Sequence, residues 1–270
     1  MKKVYKRLIT LFIISLMCLT PLFSSYASSK DITGGIYCPV LTYHRLTTDP
    51  SQSADWTVTA EKFEKDIKTL LDNGYTPIYS SDLIKKDKVI GLIPEKPVII
   101  QFDDGYSSVY DLAFPILKKY NVKAEVYIIT DYTFEEPTEN KGNMFLGWKQ
   151  LSEMEASGLM KVGLHGKNHL PVTGFESTDI LKSDFNAAWN TIYARLGNHE
   201  RCYVYPRGQF NQSTIDTLNK NGAAVQFIWI WDMLPSYMGS AVGRVNVSGN
   251  TDVMKAISTY EYLYKLNCKK

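Results

Sequence analysis

The chain has 270 residues, a formal net charge of +2 from 30 Lys and Arg against 28 Asp and Glu, and 13% aromatic residues. A near-neutral balance with 21% charged residues excludes a partner held by bulk charge, whether nucleic acid or an acidic polymer. The aromatic content suits a sugar-handling surface and a packed core equally well, so composition does not choose between them.

Lys2, Lys3, Lys6 and Arg7 precede an apolar run from Leu8 to Phe23, and Ser25-Tyr26-Ala27 follows as a small-x-small cleavage site. Residues 1–27 therefore read as a secretory signal peptide, which places the mature protein in secretion or at the cell surface. As a retained anchor the run is interrupted by Thr10, Ser15, Thr20 and Pro21 and falls short of the ~20 apolar residues of a span. Cys18 follows Met17 instead of the small residue of a lipidation site. Residues 28–35 form a polar linker, and the roughly 240 residues beyond the leader suit one domain. Cys38, Cys202 and Cys268 are odd in number and widely spaced; the first two are expected as small buried apolar residues, with no disulfide framework.

The first strand is expected over residues 38–43, delivering His44 at its carboxyl end. Thr59 is a candidate N-cap for a helix over 60–73, with Phe63, Ile67, Leu70 and Leu71 as its stripe and Gly74 as its stop. A strand over 76–79 follows, then a short helix around Leu83 capped by Ser81. Val98, Ile99 and Ile100 are apolar without alternation, as in a strand covered on both faces, and Pro97 stands where such a strand begins. A helix over 109–120, a strand over 124–130 and a long polar rim loop over 131–147 come next. A helix over 149–157 leads to the strand before His165. Beyond it lie a helix over 179–196, a strand over 203–205, a helix over 213–221, strands over 225–229 and 242–247, and a helix with a basic tail over 251–270. Alternating strands and helices predict a parallel α/β fold, with its site at the carboxyl ends of the strands.

Two chemical clusters fall at such ends. Asp103 and Asp104 close the strand that starts at Pro97, and neighbouring strand residues share one site only where the pleat breaks, a break assigned to Gly105. Taken alone, two adjacent acids read as a solvated turn. His165 and His169, two of only four histidines, stand at chelating spacing beyond another predicted strand. With one carboxylate they make a two-histidine, one-carboxylate set that leaves coordination positions for water and substrate.

Gln101-Phe102-Asp103-Asp104-Gly105, His165 to His169 and Tyr205-Pro206-Arg207-Gly208 resemble, in this order, the motifs of the polysaccharide deacetylases of carbohydrate esterase family 4, the NodB-type domain. The likeness runs from Val40 to Val247, within a domain expected over 36–250. Pro39-Val40-Leu41-Thr42-Tyr43-His44-Arg45-Leu46 is most similar to the poly-N-acetylglucosamine deacetylase branch. The resemblance implies a distorted (β/α) barrel of about seven parallel strands in a single domain. It also implies a divalent ion, zinc or alternatively cobalt, nickel, manganese or iron, on Asp104, His165 and His169, with Asp103 as the base.

In the third motif Val204 replaces the arginine that holds this base in the wider family, leaving Arg207 and Arg244 as substitutes. Residues 205–208 would supply a backbone N–H to an oxyanion, and Trp148, Trp229 and Trp231 are candidates to stack on sugar rings. The family's late histidine is absent, since no histidine follows His199, so His44 is the candidate acid. The implied activity is removal of N-acetyl groups from an N-acetylhexosamine polymer such as poly-N-acetylglucosamine, peptidoglycan or a chitin-like chain. The alternative is a carbohydrate-binding domain that keeps the metal and has lost its chemistry. A glycosidase fits poorly, because its carboxyls stand ~5 Å or more apart across the sugar.

Overall fold

The ring of parallel strands at the centre of the molecule closes because the first strand pairs with both the third-motif side and the first-motif side of the sheet. In the computed structural model, residues 37–84, 93–171, 177–197, 200–229 and 241–267 are described; the predicted leader, the 28–35 linker, Trp231 and Cys268 lie outside them, as does the side chain of Trp229.

In chain order the strands are β1 (Val40–Tyr43), β2 (Arg45–Thr47), β3 (Thr57–Thr59), β4 (Thr76–Pro77), β5 (Pro97–Phe102), β6 (Ala124–Ile128), β7 (Thr138–Asn140), β8 (Asn143–Phe145), β9 (Met160–Leu164), β10 (Cys202–Val204), β11 (Val225–Trp229) and β12 (Ala241–Asn246). Seven of them form the ring in the order β1-β12-β11-β10-β9-β6-β5 and back to β1, every pairing parallel. The implied barrel of about seven strands is therefore present, within one unit spanning Asp31–Lys270. The strand expected over 76–79 is only the two-residue β4, which pairs with β5 outside the ring.

Alternation along these strands sorts side chains into two apolar clusters. Leu41, Tyr43, Val98, Ile100 and Phe102 pack outward with helix residues such as Phe63, Leu117, Leu151 and Phe185. Val40, Ile99, Tyr127, Val204, Phe227 and Val242 fill the interior, with Cys38 and Cys202 among them as free, buried thiols. The interior also holds Gln101, Glu125 and Arg244, all buried, in the same alternation.

The helices follow their predicted signals closely. Thr59 accepts from Lys62 N at the start of helix Ala60–Asp72, whose Phe63, Ile67 and Leu70 are buried; Leu71 is only half-buried, and Gly74 takes φ 80 just past the end. Ser81 differs from expectation: it lies inside helix Ser80–Ile84, and its Oγ accepts from Lys161 Nζ at 2.9 Å. The helix expected over 109–120 opens with a π-helical stretch, Val109–Ala113, before Phe114–Tyr120. The remaining helices are Trp148–Ala156, Thr178–Leu196, Gln212–Lys220 and Val253–Asn267.

One glycine in the interior has no room for a side chain: a Cβ at Gly163 would lie 2.6 Å from Cδ1 of Tyr127. Gly163→Ala is expected to displace Tyr127 and destabilise the protein by about 1–3 kcal/mol. A denaturant melt of the variant with an unchanged midpoint would show that the ring gives way at no cost.

Candidate metal centre and active-site cleft

β5 and β9 lie on either side of β6, so their carboxyl ends bring the two clusters together. Asp103 continues the β5 register, its N–H donating to Tyr43 O at 2.9 Å, and points into the barrel, where it is 1% exposed. Asp104 then turns left-handed at φ 69, followed by Gly105 at φ 78. The pleat therefore breaks one residue earlier than the glycine alone would suggest, and Asp tolerates that conformation better than most side chains. Adjacent acids thus serve one end of the barrel in two different settings.

His165 and His169 each bring Nε2 to Asp104 Oδ1, at 3.2 and 3.3 Å. His165 Nδ1 lies 3.0 Å from Val204 O, and because a carbonyl only accepts, Nδ1 carries a proton and Nε2 is the atom turned to Asp104 Oδ1. Burial lowers the His165 pKa, but the facing Asp104 and Asp103 carboxylates outweigh it and raise it. Burial, then the neighbouring His165, keeps the His169 pKa down at about 4, so that ring is neutral. Burial raises the Asp104 pKa, but His165, His44 and His169 outweigh it and hold the carboxyl well below its usual range. Two ring nitrogens and a carboxylate oxygen turned toward one point form a donor set for a cation. The three donor atoms lie within 4.8 Å of one another, and ligands on one ion with bonds of ~2.0–2.2 Å sit roughly 3.2–3.5 Å apart, so the residues fit a divalent metal.

Asp103 takes no part in that set. Its carboxylate receives Arg244 Nη1 at 2.7 Å on Oδ1 and Nη2 at 2.8 Å on Oδ2. Arg244 comes from β12 and is buried, while Val204 fills the interior apolar cluster and contributes only its carbonyl, to His165. Burial raises the Asp103 pKa, yet the Arg244 charge and hydrogen bonds more than offset it, and the carboxyl is held below its usual value. His44 Nε2 stands 3.9 Å from Asp103 Oδ2. Its burial lowers its pKa against the opposing pull of Asp103 and Asp104, so the ring is neutral near neutral pH.

These groups floor a cleft of about 590 Å³. One wall carries Tyr205, Arg207 and Gly208, in a short 3-10 turn with Arg207 at φ 57. Gly208 N–H bonds Tyr205 O, and Gln209 N–H bonds Pro206 O. Arg207 holds the second position of the turn, where the N–H has no acceptor within the turn itself. The opposite wall is Arg45, Trp56, Thr57, Tyr106 and Asn143.

Trp148 is corrected: at 5% exposure it packs in the outer core under Arg195 and does not line the cleft. The aromatic wall is instead Trp56, 41% exposed and edge-on to His44 at 4.8 Å. The segment 131–147 is more ordered than a loop, containing the antiparallel pair β7 and β8. Arg45 donates to Asn143 Oδ1 at 2.8 Å, and Tyr106 stacks on Phe145 at 5.2 Å. Sequence reasoning assigned no role to Arg45, Trp56, Tyr106 and Asn143; Arg45, within the amino-terminal pattern, and Tyr106, next to the first motif, carried a positional signal.

Residues 92–225 match the polysaccharide deacetylase family. A poly-beta-1,6-N-acetyl-D-glucosamine N-deacetylase of Staphylococcus epidermidis is 28% identical over 197 residues, covering 70% of this chain and 67% of the relative. Among solved structures, a de-N-acetylase from Aggregatibacter actinomycetemcomitans superposes with a TM-score of 0.71 and 26% identity over 83% of this chain and 99% of that one. IcaB from Ammonifex degensii gives 0.69 and 26% over 84% and 97%. Fold and site together define a closed parallel α/β barrel with an Asp-His-His set that fits a divalent metal at one end. Over residues 92–225 the chain belongs to the polysaccharide deacetylase family. Its aligned stretch spans 61 to 67% of the length of the first curated relatives.

Asp104→Ala, His165→Ala and His169→Ala should each abolish stoichiometric binding of a divalent metal, whereas Asp103→Asn should retain it. Equilibrium dialysis followed by elemental analysis reads this directly, and a full equivalent held by any of the three alanine variants would refute the ligand set.

Proposed function

We propose that this protein removes N-acetyl groups from an exported polysaccharide of N-acetylhexosamine, with poly-N-acetylglucosamine favoured over peptidoglycan or chitin-like chains. The observation that carries the reading is an ionised, arginine-held Asp103 beside a metal-fitting trio on the floor of an open cleft. The likeness to poly-N-acetylglucosamine deacetylases supports the choice of polymer, and the leader-like amino terminus supports action outside the cytoplasm. Zinc is the proposed ion, with cobalt, nickel, manganese and iron as other occupants of such a donor set.

When bound, the metal would polarise the acetyl carbonyl and lower the pKa of a bound water. Asp103 takes the proton of the attacking water. Arg244 keeps it ionised, ready for that task. The turn at residues 205–208 would supply a backbone N–H, that of Arg207, to the oxygen that gains charge as the carbonyl carbon becomes tetrahedral. His44, neutral at rest with Nε2 3.9 Å from Asp103 Oδ2, takes up the proton held there once the two atoms close to hydrogen-bond distance and delivers it to the departing amine. One proton thus moves from water to nitrogen, the C–N bond breaks, and acetic acid and a free amine are formed, the acid then ionising to acetate by giving its proton to the amine or to solvent.

Loss of the third-motif arginine was the ground for reading the chain as a binding domain without chemistry. Arg244 restores the missing charge from another strand. A glycosidase reading has no use for the histidines and would leave Asp103 committed to an arginine.

Acetate release from β-1,6-linked N-acetylglucosamine oligomers, chitin oligomers and peptidoglycan fragments tests the proposal. Release that chelator abolishes and metal restores is expected, and metal-loaded protein inert on the whole panel would reject it. Asp103→Asn should lower kcat by a factor on the order of 10² to 10⁴ with metal retained. His44→Ala should lower kcat on an acetylated sugar amine more than on an activated aryl acetate, whose leaving group needs no proton. Equal losses on the two substrates would show that His44 positions the site without donating.

A further inference from the structure

Asp103 is the upper end of a line of buried polar groups running down the barrel interior. Arg244 Nη1, which donates to Asp103, donates also to Gln101 Oε1 at 3.3 Å. Gln101 is fully buried, and its Nε2 donates to Glu125 Oε2 at 3.0 Å and to Tyr127 OH at 3.2 Å. Glu125 in turn receives Ser80 N–H at 2.7 Å, Ser80 Oγ at 2.5 Å and Tyr127 OH at 3.0 Å.

The direction of the central amide is not free. A carboxylate accepts and a guanidinium donates, so Nε2 has to face Glu125 and Oε1 has to face Arg244. The far end is anchored by Ser80, which comes from the short helix Ser80–Ile84. Arg244 Nε is buried and has no acceptor among the described residues. Apart from Asp103 itself, Gln101 is therefore what holds the guanidinium among those residues. A two-point pair depends on the plane of the fork, and a fork held only by its partner can tilt with it.

We propose that Gln101 and Glu125 are positioning residues of the deacetylation. Glu125 sets the Gln101 amide, and the amide sets the Arg244 fork against which Asp103 is aligned as base. This rests on the role given to Asp103 above.

A double-mutant cycle separates alignment of the base from plain support of the fold. Gln101→Leu, close in volume, is expected to lower kcat roughly 10- to 100-fold with KM and metal content unchanged. In an Asp103→Asn background the same substitution is expected to change kcat by less than about twofold, because the group it aligns is already gone. An equal loss in both backgrounds, or a loss confined to KM, overturns the inference. If Gln101→Leu does not fold, the paired exchange Gln101→Glu with Glu125→Gln carries the test, since it keeps an acceptor toward Arg244 and a donor–acceptor pair between positions 101 and 125, with the Ser80 and Tyr127 hydroxyls free to rotate to suit. A kcat within about threefold of wild type upholds the line of bonds, and one as low as that of Gln101→Glu alone overturns it. Asp103→Asn as active as wild type would overturn the underlying reading and this inference with it. A crippled Asp103→Asn beside an unimpaired Gln101→Leu overturns this inference alone.

Discussion

The buried pair between Arg244 and Asp103 is the constraint on which the rest of the site depends. Each charge is costly in a barrel interior, and the cost is met only by a geometry that satisfies both oxygens at once. β5 and β12 are not neighbours in the ring; β1 stands between them. The pair is therefore made through the interior, beneath the strand that delivers His44. It ties three strand ends to one point, and it leaves the adjacent Asp104 free to turn outward to the histidines. Two consecutive acids are thus separated by backbone conformation: Asp103 keeps strand geometry and an arginine, while Asp104 turns left-handed toward the two histidines.

Much of this was legible in the residues. The unalternating Val98-Ile99-Ile100 run announces a strand buried on both faces, and all six residues of β5 are buried. The acid pair and the histidine pair lie where predicted, because strand ends in a parallel barrel converge by topology. Arg244 was visible only as one of two candidates, since an arginine in a late strand has no local mark of burial; its depth depends on a partner 141 residues away.

The misses have physical causes of the same kind. Trp56, Arg45 and Asn143 reach the cleft from segments whose course is decided by long-range contacts and not by local periodicity. Trp148 begins a helix, and its exposure turns on which face of that helix meets the core. β2 and β3 are three residues each, too short for alternation to register. The π-helical turn at Val109–Ala113 has no glycine or proline within it to betray the extra residue.

Ring closure by β1, β5 and β12 also bears on when the enzyme comes into being. The strand that carries Arg244 is the last of the seven to be synthesised, and it must dock against the first. Contacts of such sequence separation form late and slowly, after the entropy of closing a long loop has been overcome. Until then Asp103 lies in an open trough without its counter-charge, and the metal ligands stand on a sheet that has no floor. The Arg244–Asp103 pair therefore forms at the end of folding, and a chain whose ring has not yet closed carries the motifs without the assembled site.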